Sequence, residues 1–154
     1  MTTDNTAPAG MHTITPHIVV RDAAAASDWY QRALGASEQT RLTLPSGKLM
    51  YVELRFGDSP VMVADEFPEF GIVSPLAIGG TAVVLHLFTN EVDRAWQRAV
   101  EAGAEVLQPL QDQFWGDRQG QFLDPFGHKW NLAQHLRDVP ADELAQAAAA
   151  LFAS

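Results

Sequence analysis

The sequence predicts an α+β fold: two tandem βαβββ modules forming a U-shaped mixed sheet around a central cleft, plus a C-terminal helix. Three observations predict it. Each half of the chain reads strand, helix, then three strands, from apolar periodicity and turn residues. Matched positions nearly share one spacing: His17 to His86 and Asp22 to Glu91 are 69 residues apart (86 − 17, 91 − 22), and Gly35 to Gly103 is 68 (103 − 35). Short words recur with that spacing, Gln31-Arg32-Ala33 against Gln97-Arg98-Ala99. A duplicated unit that cannot bury its own sheet face implies two halves that pack together.

Residues 1–12 carry no periodicity and read as a disordered tail. Ile14–Val20 is rich in β-branched residues and reads as a strand, with Pro16 marking an edge or a late start. Asp22 is placed to cap a helix over Ala23–Leu34, which Gly35 stops. Trp29, Tyr30, Ala33 and Leu34 give that helix its apolar stripe. Three strands follow, Ser37–Leu44, Lys48–Phe56 and Pro60–Ala64, separated by Pro45-Ser46-Gly47 and Gly57-Asp58. Phe67–Gly80, with two Pro and three Gly, reads as the linker between modules 13–70 and 80–136.

In the second module Thr81–Thr89 is a strong strand and Glu91–Ala102 a helix ended by Gly103. Glu105–Leu110, Gln119–Leu123 and His128–His135 are strands, the last two joined by Asp124-Pro125-Phe126-Gly127. Residues 137–154 form the closing helix, with Pro140 in its first turn and a stripe of Leu144, Ala148, Leu151 and Phe152. That stripe needs a surface to cover, on this chain or a partner's.

Composition bounds the function. The 154 residues carry a net charge of −9 and no cysteine. Disulfides, thiolate metal sites and cysteine nucleophiles are excluded. An acidic chain without a basic stripe is a poor nucleic-acid binder, and its field favours cationic or neutral small molecules. No apolar run reaches the ~20 residues of a membrane span, and no secretory signal is visible. A cytoplasmic address is expected.

Strand side chains alternate, so the parity of each strand assigns its faces. Ile18 and Val20, and Val83, Leu85 and Leu87, suit the helix-covered side. His17 and His86 then line the cleft. Trp130 and Leu132 likewise send Asn131 to the cleft side. On the second meander strand Tyr51, Glu53 and Arg55 share a face, opposite Met50, Val52, Leu54 and Phe56.

This layout, over about Ile14–His135, resembles the vicinal oxygen chelate superfamily of glyoxalase I, fosfomycin- and bleomycin-resistance proteins and extradiol dioxygenases. The words are Val20-Arg21-Asp22, Trp29-Tyr30, Leu34-Gly35-Ala36, Ala102-Gly103-Ala104 and Asp124-Pro125-Phe126-Gly127-His128. Ala64-Asp65-Glu66-Phe67-Pro68, Leu85-His86-Leu87 and Asp112-Gln113-Phe114-Trp115-Gly116-Asp117-Arg118 are similar to its PhnB-like group. The resemblance implies metal ligands at three positions, occupied here by Thr15, Val84 and Asn131. Val84 offers no donor, so the resemblance carries the fold over and leaves the metal site behind.

Two functional readings follow. The first is a small-molecule-binding protein in the sequestering style of the bleomycin-resistance proteins, holding a cationic or aromatic ligand and needing no cofactor. Its ligand-binding residues are His17, Glu53, His86, Trp115, Arg118 and Asn131. Phe114 and Trp115 supply an aromatic wall beside the Asp117–Arg118 pair. The alternative is a metal-dependent lyase, isomerase or dioxygenase. There His17, His86 and Glu53 would hold zinc, iron, manganese or nickel. The resemblance also implies a homodimer.

Overall fold

The computed structural model describes residues 6–153. Of the expected tail, residues 1–5 lie outside this range. Within the rest, Met11 N donates to Pro8 O, and Arg55 Nη2 donates to Gly10 O at 3.0 Å. The chain divides into two compact units, up to Thr81 and from Ala82 onward.

The first unit runs β1 (His17–Val20), α1 (Ala23–Leu34), β2 (Ser37–Thr43), β3 (Leu49–Phe56) and β4 (Ser59–Asp65). Its sheet has the order β1-β4-β3-β2, with β1 parallel to β4 and the other pairs antiparallel. A 3-10 turn (Pro68–Phe70) and the four-residue α2 (Pro75–Ile78) lead out of it. The second unit repeats the plan. It holds β5 (Val84–Phe88), α3 (Val92–Glu101), β6 (Glu105–Asp112), β7 (Asp117–Leu123) and β8 (Lys129–His135), ordered β5-β8-β7-β6. Here β5 and β8 are the parallel pair. Helix α4 (Ala141–Phe152) closes the chain, and none of its residues is buried.

Local chemistry explains the boundaries. Asp22 caps α1 through Ala25 N, and Gly35 ends it at φ 72°. The first strand is shorter than its β-branched run. Pro16 has no N–H to pair, and the Thr15 hydroxyl turns back to His12 O at 2.8 Å. Strand β7 opens at Asp117, two residues before the Gln119 start read from sequence, and helix α4 occupies Ala141–Phe152 within the closing segment 137–154.

The core of the first unit is α1 laid on the sheet. Trp29, Tyr30 and Ala33 are buried with Val52, Leu54, Phe56, Val61 and Val63. Met50 does not join them. Leu42 faces Tyr51 but Thr43 faces Leu49, so Met50 is an extra residue in a bulge. Leu49 takes the core place and Met50 is 53% exposed. In the second unit α3 covers Phe122, Trp130 and Leu132. The Trp96 ring lies edge-on to Phe122, and a Cβ on Gly120 would come within 2.6 Å of it.

A buried carboxylate locks the first unit. Asp65 Oδ1 accepts Ala23 N at 2.7 Å, and Oδ2 accepts Leu49 N at 2.6 Å. One side chain at the end of β4 thus fixes the start of α1 and the start of β3. The second unit repeats the contact at the same spacing: Gln134 Oε1 accepts Val92 N at 3.2 Å, with both partners 69 residues on (134 − 65, 92 − 23). Asp124 plays a similar part in its turn, taking Phe126 N, His128 N and Trp130 Nε1. Removing Asp65 orphans two buried N–H groups. Asp65→Ala is expected to lower unfolding stability by about 3 kcal/mol in urea titrations, and Asp65→Asn by less. A loss for the alanine variant within about 0.5 kcal/mol, the range of ordinary surface changes, would remove the lock.

Candidate functional site

Residues paired across neighbouring strands share a sheet face. In the second unit His86 pairs with Asn131, Asn131 with Gln121, and Gln121 with Gln108. This row crosses all four strands on the face away from α3. It is flanked by the row Val84, Lys129 and Leu123 and by the row Phe88, Ala133 and Gln119. Leu85, Trp130, Leu132 and Phe122 point the other way, toward α3, so the alternation read from sequence holds here.

The row is bonded along its length. Gln121 Nε2 donates to Asn131 Oδ1 at 3.0 Å, and Asn131 Nδ2 meets His86 Nδ1 at 3.2 Å. The Phe88 ring stands beside the His86 ring, centroids 4.6 Å apart at 53°. The row therefore offers neutral amides, an imidazole and an exposed aromatic ring.

The other sequence-predicted residues fall elsewhere. His17 and Glu53 lie in the first unit on either side of Met62, in one row with Thr40. Glu53 has Arg55 Nη2 at 3.8 Å. Arg118 pairs with Gln134 and Asp112, on the opposite face from His86. Its guanidinium bonds Asp93 on α3 at 3.0 Å and Asp112 at 3.1 Å, which hold its pKa above the ordinary value. It bridges helix to sheet and does not join the His86 row. Trp115 sits in the β6–β7 turn, half-buried, with its ring edge-on to Phe114 at 5.0 Å. Asp65 and Glu66 are engaged within the first unit. Asp65 takes two backbone amides, while Glu66 takes Ser74 N at 2.9 Å and lies 3.5 Å from Arg21.

Three residues of the face were not among the site residues expected from sequence, although alternation on β8 puts Lys129 and His135 with Asn131. Gln121 and Lys129 sit on alternating positions of β7 and β8. The third is His135, at the end of β8. Its Nδ1 meets Asp117 Oδ1 at 2.7 Å and its Nε2 meets Asp138 Oδ1 at 2.7 Å. It borders a wide-mouthed pocket of about 370 Å³ with Phe88, Thr89, Asn90 and Gln134. The Asp117 carboxylate, then that of Asp138, raises the His135 pKa above its ordinary value.

The positions that the resemblance assigns to metal ligands do not fit a divalent ion. Thr15 is turned to His12 O, Val84 is aliphatic, and Asn131 is tied into the amide row. Among the described residues no group of three or more His, Asp or Glu is placed to hold a metal.

Comparison with known proteins adds the following. The family model described as Glyoxalase/Bleomycin resistance protein/Dioxygenase superfamily matches residues 10–132. An uncharacterised protein of Mycobacterium tuberculosis is 45% identical over 134 residues, covering 85% of this chain and 79% of that protein. Among solved structures, TioX from Micromonospora sp. ML1 is 29% identical with a TM-score of 0.65, over 81% of this chain and 99% of its own. A PhnB protein from Bacillus cereus, 15% identical, shares the fold with a TM-score of 0.64, over 80% of this chain and 99% of its own.

His135 gives this region a pH signature. A histidine whose folded pKa is raised contributes stability fully below its unfolded pKa, about 6.5, and loses it as pH rises through the folded value. Thermal unfolding should therefore show wild type losing stability relative to His135→Gln as pH rises above about 6.5, with a constant gap at lower pH. A gap that does not change with pH would show that Asp117 and Asp138 do not hold the imidazolium.

Proposed function

The chain belongs to the glyoxalase/bleomycin resistance protein/dioxygenase superfamily, and from that premise we propose that it binds a small organic molecule, without a metal, on the sheet face carrying His86, Asn131 and Gln121. The observation that carries the reading is the bonded amide–imidazole row. Asn131 occupies His86 Nδ1, so the ring is committed to an amide partner on one side. Such a row orients an organic ligand by hydrogen bonds, and the adjoining Phe88 ring supplies apolar contact area. This supports sequestration of an aromatic ligand over metal-assisted lyase, isomerase or dioxygenase chemistry. The net charge of −9 favours a cation only through its long-range field, while contacts on the face decide which charge is accepted.

The reading includes a cytoplasmic address and a homodimer. No helix among the described residues is long and apolar enough to cross a membrane. The uncovered stripe of α4, with Leu151 and Phe152 exposed, supports a second copy as partner.

Elemental mass spectrometry tests the central point on protein purified without chelator or metal-binding tag. Well below one equivalent of zinc, iron, manganese or nickel per chain is expected. A screen of aromatic compounds should then raise Tm. At a hundredfold the Kd the gain is about 2.7 kcal/mol, or roughly 5–10 °C, and Asn131→Leu should abolish it. About one metal equivalent, lost in His86→Ala, would overturn the reading. Sedimentation equilibrium showing only the 16.8 kDa chain would remove the dimer.

A further inference from the structure

The face that carries His86 also carries a lysine. Lys129 stands two residues before Asn131 on β8 and pairs with Val84, so it lies on the same side as His86. It is half-buried, and among the described residues its ammonium makes no ion pair or side-chain hydrogen bond. That is unusual in a chain with nineteen Asp and Glu. Asp124, in the adjoining turn, takes three N–H donors. Glu105 shares the Lys129 row but lies two strands away, about 10 Å along the sheet.

The amide row fixes what His86 presents beside it. Gln121 donates to the Asn131 oxygen, which leaves the Asn131 nitrogen to face His86 Nδ1. An amide nitrogen can only donate, so Nδ1 is the acceptor and the neutral ring carries its proton on Nε2. The face then shows an ammonium and an imidazole N–H, with backbone origins about 8 Å apart on the diagonal between β8 and β5. Both are donors. Phe88, one row further, offers a ring face.

We propose that this face selects a planar aromatic carboxylate, its anionic oxygens held by Lys129 and by His86 Nε2–H and its ring lying against Phe88. The proposal rests on the ligand-binding reading above and adds the charge of the ligand to it. A half-buried ammonium gains from an anionic partner what solvent supplies only in part, and charge-assisted hydrogen bonds are the stronger kind. Gln121 and Asn131 act as positioning residues, through the His86 tautomer.

The test uses the full chain and one ring with three charges: 2-naphthoate, 2-naphthamide and 2-naphthylmethylammonium, titrated by calorimetry. Naphthoate should bind about tenfold more tightly than the amide, and the ammonium compound more weakly than either. Lys129→Met should remove the preference of naphthoate over the amide, and Lys129→Arg should restore most of it. Equal or tighter binding of the amide or the ammonium compound overturns the proposal and leaves the binding reading standing. So does a naphthoate preference that survives in Lys129→Met. Failure of all three compounds to bind overturns the proposal and the aromatic-ligand reading together.

Discussion

The paired contact between the end of one strand and the start of one helix organises each unit. Asp65 closes the first unit by holding Ala23 N and Leu49 N, and Gln134 closes the second by holding Val92 N. Both side chains sit where the parallel strand pair ends and the helix begins, a junction with N–H groups that need acceptors. The carboxylate makes two contacts and its amide counterpart one. Most of the buried apolar side chains likewise belong to the first unit. The second unit has the lighter core and the more polar sheet, and the candidate site is on that sheet.

The same duplication then diverges in chemistry. His17 and His86 occupy matched positions, but their neighbours differ. Beside His17 stands Met62, which cannot orient an imidazole, and beside His86 stands Asn131, which can. Glu53 and Gln121 are the next residues along the two rows, one charged and one neutral. A ring fixed by an amide is a poor metal ligand from that nitrogen and a good hydrogen-bond donor from the other. The first unit retains the acid and the second holds the directed donors.

Much of the fold was legible because it rests on short-range rules. The α1 boundaries followed from Asp22 and Gly35, and the repeat followed from a constant spacing. The face of His86 and Asn131 followed from strict alternation on β5 and β8. What the sequence did not show involved longer-range partners. Arg118 was read as ligand-binding beside Trp115; β7 begins at Asp117 and sends Arg118 toward Asp93 on α3, 25 positions earlier in the chain. Parity put Met50 on one face with Val52, Leu54 and Phe56, and a bulge, which parity cannot see, leaves it exposed while Leu49 is buried. Lys129 and Gln121 were visible by position. Their meaning depends on what lies beside them: no carboxylate for one, an amide acceptor for the other.

The central claim is that Gln121 and Asn131 commit His86 to donating from Nε2 toward an organic ligand. Long-range proton–nitrogen NMR of the imidazole tests it most directly, because it reads which nitrogen carries the proton. Wild type should show the Nε2–H form at neutral pH, unchanged by added zinc, and Gln121→Met should mix the two tautomers. An Nδ1–H ring in wild type, or a His86 signal that moves with one equivalent of zinc, would contradict the account.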